Sequence, residues 1–196
     1  MKHLTQEAYI ISNWSGGKTV QIAIAPEGAR YADRDFLWRL SSATVELEES
    51  DFTALPDYER WIAPVSGEMI LTHNGGEEIT LKPYDVHSFD GADDTRSRGR
   101  CTDFNLMLRK GRCGGVIRAL GNGEAGQEVL IPEARTDTLI VYCTEGNVAV
   151  ETGEESVFLK AGEALQLDKT EIAPLTLHFA DGGRAMAAQI RPEKEE

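Results

Sequence analysis

Gly67-Glu68-Met69-Ile70-Leu71 opens a stretch that closes on Leu81-Lys82-Pro83-Tyr84-Asp85-Val86. Gly146-Asn147-Val148-Ala149-Val150 opens another that closes on Leu159-Lys160-Ala161-Gly162-Glu163-Ala164. The Gly-to-Leu separation is 14 residues in the first and 13 in the second, a difference of one turn residue. Each stretch carries paired glutamates midway, Glu77-Glu78 and Glu154-Glu155. In the first, Asn74-Gly75-Gly76 provides the residues that tolerate positive φ in a tight hairpin. Strand segments flank the turn, Glu68 to His73 and Glu78 to Lys82. The two glycines lie 79 residues apart and the two leucines 78. Matching hairpins at that offset predict a duplicated unit.

Outward from the hairpins, period-two alternation continues. Val20 to Ile24, Trp38 to Val45 and Asp103 to Arg109 read as strands of the first half. Thr138 to Thr144, Asn147 to Glu151, Glu155 to Lys160, Ala164 to Leu167, Leu175 to Phe179 and Ala185 to Ile190 read as strands of the second. The turn-rich Lys110-Gly111-Arg112-Cys113-Gly114-Gly115 joins the halves, and the charged Arg191-Pro192-Glu193-Lys194-Glu195-Glu196 ends the chain. Short strands at regular spacing indicate an all-β sandwich or barrel rather than a parallel sheet.

Composition excludes several function classes. The chain has 20 basic and 33 acidic residues, a net charge of −13. Such a surface repels phosphate backbones and anionic lipid, so neither nucleic acid nor membrane is an expected partner. Cys101, Cys113 and Cys143 form no CxxC pair, and reduced buried thiols are expected. Met1-Lys2-His3-Leu4-Thr5-Gln6-Glu7 contains no apolar signal core, and no apolar run approaches the ~20 residues of a membrane span. A cytoplasmic location is expected.

The Gly-strand-turn-strand-Leu plan resembles the cupin jelly roll. More specific segments resemble the HutD/Ves family. They are Trp14 with Gly17-Lys18-Thr19, Phe36-Leu37-Trp38-Arg39-Leu40-Ser41-Ser42-Ala43, Asp51-Phe52-Thr53, Tyr58-Glu59-Arg60, Ser66-Gly67, Phe89-Asp90-Gly91 and Asp103-Phe104-Asn105-Leu106-Met107-Leu108-Arg109. This match spans the first 110 residues, after which only the general cupin plan continues. The resemblance implies an all-β, double-stranded β-helix (jelly roll) fold with two tandem cupin barrels. Residues 1–110 would form a ligand-binding first barrel and residues 111–196 a structural second one. It also implies a small-molecule-binding role connected with histidine utilisation and regulation. The chain departs from the family at Glu49-Ser50-Asp51-Phe52-Thr53, where Gly-Pro-Phe-Ser is common, and a changed loop at the barrel mouth would alter the ligand.

Many cupins hold a metal through His-x-His, a Glu and a later His. That Glu lies seven residues before the closing Gly, which here gives Arg60 before Gly67 and Leu139 before Gly146. The His-x-His positions fall on Thr53 to Pro56 and Pro132 to Arg135, none of them His. His87 sits one residue out of step with the last ligand, and a one-residue shift turns a strand side chain to the other face. No metal and no other cofactor is expected. His3, His73, His87 and His178 are read as ordinary surface or core positions.

A guanidinium in place of a carboxylate converts a cation site into an anion site, and its planar fork of donors matches a carboxylate. Alternation places Arg39, Ser41 and Ala43 on one face of their strand, and Asp103, Asn105, Met107 and Arg109 on one face of theirs. Phe104, Leu106 and Leu108 face the other way. The candidate ligand-binding residues are Arg39, Ser41, Arg60, Phe89, Asp103, Asn105 and Met107, for a small anion that also bears a hydrogen-bonding amide or ring nitrogen. The competing reading is structural, with Arg39 and Asp103 as a buried ion pair and Asn105 bonded to a loop. In the second half the inner positions Leu139, Val141, Val148, Val150 and Leu165 are apolar and carry no chemistry.

Three functions are compatible with these residues. The leading one is a non-catalytic, metal-independent binding protein that senses a small carboxylate metabolite. The second is a metal-free cupin isomerase, epimerase or lyase with Asp103 as acid or base and Arg39 or Arg60 on the substrate carboxylate. The third is a purely structural or protein-interaction bicupin. Exposed edge strands make a homodimer the expected assembly.

Overall fold

In a computed structural model of the protein, residues 1–153 and 155–193 are described. Glu154 and the tail residues Lys194, Glu195 and Glu196 lie outside the described residues. In chain order the strands are β1 (Lys2–Leu4), β2 (Ile10–Trp14), β3 (Gly17–Ala25), β4 (Trp38–Val45), β5 (Glu49–Asp51), β6 (Tyr58–Gly67), β7 (Met69–His73), β8 (Glu78–Leu81), β9 (His87–Asp90) and β10 (Thr95–Arg98). They continue with β11 (Cys101–Arg109), β12 (Cys113–Leu120), β13 (Gly126–Leu130), β14 (Thr138–Glu145), β15 (Asn147–Thr152), β16 (Glu155–Lys160), β17 (Ala164–Asp168), β18 (Leu175–Phe179) and β19 (Arg184–Pro192). The fold is all-β, as the alternation of the sequence requires. Among the described residues no helix is long and apolar enough to cross a membrane.

Two compact units divide the chain. Ile10–Cys113 is one, and Met1–Tyr9 joins the residues from Gly114 onward in the other. The first contains a six-stranded sheet, β2-β3-β4-β11-β6-β9, and a four-stranded sheet, β5-β10-β7-β8. The second contains a five-stranded sheet, β1-β17-β14-β19-β12, and a four-stranded sheet, β13-β18-β15-β16. The order β4-β11-β6-β9 recurs as β12-β19-β14-β17, and β5-β10-β7-β8 recurs as β13-β18-β15-β16. The repeat in the sequence is thus a repeat of topology. β1 departs from the division at residue 110, because its backbone groups pair with β17, Lys2 opposite Gln166 and Leu4 opposite Ala164.

The two signature hairpins have matching registers, Met69 opposite Leu81 and Val148 opposite Leu159. Their leading glycines take positive φ, 77° at Gly67 and 62° at Gly146. A Cβ on Gly67 would sit 2.3 Å from the Arg100 carbonyl oxygen, so side chains are excluded there by both conformation and space.

The interiors differ. In the second unit Leu139, Val141 and Leu165 of one sheet meet Val148, Val150 and Leu177 of the other in one fully buried cluster. In the first unit Ile62, Phe89 and Cys101 meet Met69, Leu71 and Leu81. That cluster leaves a cavity of about 660 Å³ elsewhere between the strands. Cys101, Cys113 and Cys143 are buried.

Candidate functional site

Antiparallel register builds the cavity wall. Residues directly opposite one another on neighbouring strands share a face. Arg39 of β4 lies opposite Met107 of β11, Met107 opposite Arg60 of β6, and Arg60 opposite Phe89 of β9. The next row runs Gln21, Ser41, Asn105, Ile62, His87. A third places Thr19, Ala43 and Asp103 side by side. Three rows of one sheet face therefore bring six of the seven sequence-predicted residues, Arg39, Ser41, Arg60, Asp103, Asn105 and Met107, to one cavity lining.

Phe89 has a different position. It is outside the lining, in the apolar cluster with Ile62, Met69 and Leu71. Its ring centroid lies 5.1 Å from the Arg60 guanidinium carbon, so it supports that side chain. On the opposite face of β11, Phe104, Leu106 and Leu108 are fully buried.

Among the wall residues that sequence reasoning passed over, three touch the two buried arginines. Gln21 accepts a 2.8 Å hydrogen bond from Arg39 Nε. Its signal is a lone polar residue at an inward position between Val20 and Ile22. Phe52 stacks 4.7 Å from the Arg60 guanidinium carbon, and Tyr31 lies 4.5 Å below that of Arg39. Tyr31 sits in a one-turn 3-10 segment, Tyr31–Asp33, where no periodicity marks it. The loop that departs from the family pattern contributes Ser50, Asp51, Phe52 and Thr53 to the lining.

Charge is the unusual property of this wall. Arg39 and Arg60 are each only 6% exposed, Asp103 4% and Asn105 5%. Arg39 is tied to Gln21 and, at 3.1 Å from Nη1, to Ser41 Oγ, and among the described residues neither arginine makes an ion pair. The Arg39–Asp103 ion pair of the competing structural reading is therefore not formed. Asp103 instead accepts a 3.1 Å hydrogen bond from the Ala43 backbone N–H. Arg60 Nε and Asn105 Oδ1 are buried without a hydrogen-bond partner. Nor is Asn105 bonded to a loop through that oxygen. Burial draws Arg60 down to about 10, against the opposing pull of Tyr31 and Asp103. Burial also pushes the Asp103 carboxyl up to about 7, opposed by the Ala43 N–H and by both guanidiniums. It lowers Arg39 as well.

Two guanidiniums and one half-titrated carboxyl leave the wall with excess positive charge inside a chain of net charge −13. An uncompensated buried charge is costly, and a donor and an acceptor without partners add to the cost. A ligand with an acceptor for Arg60 Nε and a donor for Asn105 Oδ1 relieves both. The lining offers no imidazole, so the His-based metal set of many cupins has no counterpart on this wall. Among the described residues no group of three or more His, Cys, Asp or Glu is placed to hold one.

Comparison with known proteins agrees with the geometry on the fold. Protein Ves of Cronobacter sakazakii (strain ATCC BAA-894) is 33% identical over 107 residues, 52% of this chain and 56% of that protein. The alignment therefore spans little more than half the length of that relative. The conserved protein of unknown function PA5104 from Pseudomonas aeruginosa PAO1 superimposes with a TM-score of 0.82 at 23% identity, covering 97% of this chain and 98% of that one. HutD from Pseudomonas fluorescens SBW25 gives 0.76 at 22% identity over 98% and 99%. The bacterial pirin YhhW of Escherichia coli, solved with nickel(II), gives 0.67 at 8% identity over 98% and 99%. The model of the HutD family matches residues 6–187, and the chain belongs to that family.

Proposed function

We propose that the protein is a metal-independent binding protein whose first unit captures a small carboxylate metabolite. One observation carries this reading: Arg60 is buried at the cavity wall with an unpaired Nε and no carboxylate partner among the described residues. The fork of its guanidinium suits a carboxylate, and Arg39 stands one strand away across Met107. Asn105 Oδ1 and Asp103 accept from an amide or ring N–H at the ligand's other end. Membership of the HutD family supports seeking the ligand among intermediates of histidine breakdown, with a sensing or regulatory role.

A panel of urocanate, formiminoglutamate, formylglutamate, glutamate and simple sugar acids, followed by thermal shift and calorimetry, tests the proposal. One or more carboxylates should raise the melting temperature. Arg60→Gln should weaken that ligand at least about 30-fold, the equivalent of about 2 kcal/mol. An unchanged affinity in Arg60→Gln, or no carboxylate bound by a folded protein, defeats it.

Asp103 supports a second reading. A buried carboxyl held near neutrality beside two guanidiniums is equipped to move a proton on a bound acid. In a metal-free isomerase, epimerase or lyase, Asp103→Asn would abolish turnover and leave carboxylate binding in place. In a binding protein the wild type shows no turnover to abolish.

A further inference from the structure

Two histidines that the sequence leaves unconnected meet in the cavity-bearing unit. His73 ends β7 in the four-stranded sheet, and His87 begins β9 in the six-stranded sheet. Their Nε2 atoms are 3.0 Å apart and their rings stack with centroids at 5.2 Å. His73 Nδ1 lies 2.8 Å from Thr95 Oγ1, itself 3.4 Å from the Asp93 carbonyl oxygen. The ring of Phe89 lies tilted against that of His73, with centroids 4.8 Å apart.

We propose that His73 and His87 form a proton-operated clasp between the two sheets of this unit, closed by a single proton shared between their Nε2 atoms and opened in acid when both rings are charged. The chemistry follows from the imidazole inventory. A neutral ring has one N–H and one lone pair, so a bond between two Nε2 atoms requires one donor and one acceptor. If Thr95 gives its hydroxyl proton to Asp93, His73 donates from Nδ1 and accepts at Nε2, and His87 is the Nε2–H donor. A first added proton taken up at His87 Nδ1 leaves the Nε2–H bond to His73 in place. A second places two N–H groups and two positive charges against each other at hydrogen-bond distance. Burial disfavours charge on both rings, and a charged His73 adds to the penalty on His87.

The surrounding charges do not cancel this. Asp93, in the turn before β10, favours the His73 cation. On β8, Glu78 is engaged by Arg98 of β10, and Arg96 of β10 pairs with Asp51 of β5. In the turn before β9, Asp85 accepts from the Lys82 backbone N–H. On β6, Ile62 lies opposite His87 and Arg60 two residues away on the same face, a further positive charge. Because Phe89 touches both His73 and Arg60, opening the clasp removes a support of Arg60. That consequence rests on the anion-binding reading, whereas the clasp itself does not.

Side-chain nitrogen NMR of the full chain from pH 8.5 to 4.5, with melting curves of wild type and His87→Gln, tests the clasp. Complementary tautomers are expected above neutrality, with two coupled titration steps below the ordinary imidazole value of 6.5. A pair whose folded pKa values are depressed loses stability as pH falls below the unfolded value. The wild type should therefore lose melting temperature below about pH 6.5 more steeply than His87→Gln. Independent titration of His73 and His87 at ordinary values overturns the proposal, as does an undiminished acid slope in His87→Gln. Should that variant fail to fold, the wild-type spectra alone decide. Carboxylate affinity at pH 8, with the clasp closed, tests the anion reading separately.

Discussion

Asp103 is the residue on which pH acts most directly. Its folded pKa is raised from 3.8 to about 7, chiefly by burial. A raised carboxyl pKa means that the folded state holds a proton which the unfolded state has released. Its stability contribution is full below pH 3.8 and is lost as pH rises through about 7. The unliganded wild type should therefore lose stability relative to Asp103→Asn across that window, by on the order of 4 kcal/mol at most, measured by urea unfolding at several pH values. Binding changes the balance. An anion between Arg39 and Arg60 screens the cations that hold Asp103 down, so capture near pH 7 should be accompanied by proton uptake. Calorimetry in buffers of different ionisation enthalpy reads that directly, and an identical enthalpy in all of them would contradict it. The residue pattern made much of this legible. Arg39, Ser41, Asp103, Asn105 and Met107 could be assigned to one wall because strand alternation is local, and Arg60 from its distance to Gly67. The neighbours of Arg60 were not legible. Phe52 and Phe89 reach it from β5's end and β9, and nothing local encodes which strands lie side by side.

Strands show where local pattern runs out. β4, β11, β15 and β16 were readable because polar and apolar residues alternate with a turn at each end. β6 escaped the reading, although it is central to its sheet. Its inward positions include Arg60 beside Tyr58 and Ile62, and its buried positions include Ala63 and Pro64, so no clean alternation remains. A buried charge on the inner face erased the very signal that identifies a strand. β5, β9 and β10 are three or four residues long and too short to display a period. Glycine, by contrast, marks the hairpins reliably, since its use is imposed by backbone geometry. Gly67→Ala should destabilise the protein by about 2 kcal/mol or more, because it combines an unfavourable φ with the Arg100 carbonyl oxygen at 2.3 Å. Chemical denaturation measures this, and a loss below about 0.5 kcal/mol would mean that the turn relaxes freely.

Across the whole molecule, one topology has been used for two purposes. Leu139 stands in β14 as Arg60 stands in β6, flanked by Leu167 and Gln189 where Arg60 has Phe89 and Met107. The same lattice of strands encloses a filled apolar interior in one unit and a charged cavity in the other. Leu139→Arg should not create a second binding site. It should cost about 3–5 kcal/mol, because the new cation would be buried without a partner, and carboxylate stoichiometry should stay at one. The strand that crosses the division has a temporal consequence. A ribosome releases Lys2–Leu4 long before Ala164–Gln166 exists, so this segment waits, unzipped, until β17 emerges. The cavity-bearing unit has all its own strands by Cys113 and can mature first, while the second unit needs β1 as well as β17. Nascent protein would then complete its cavity before β1 finds its partner strand.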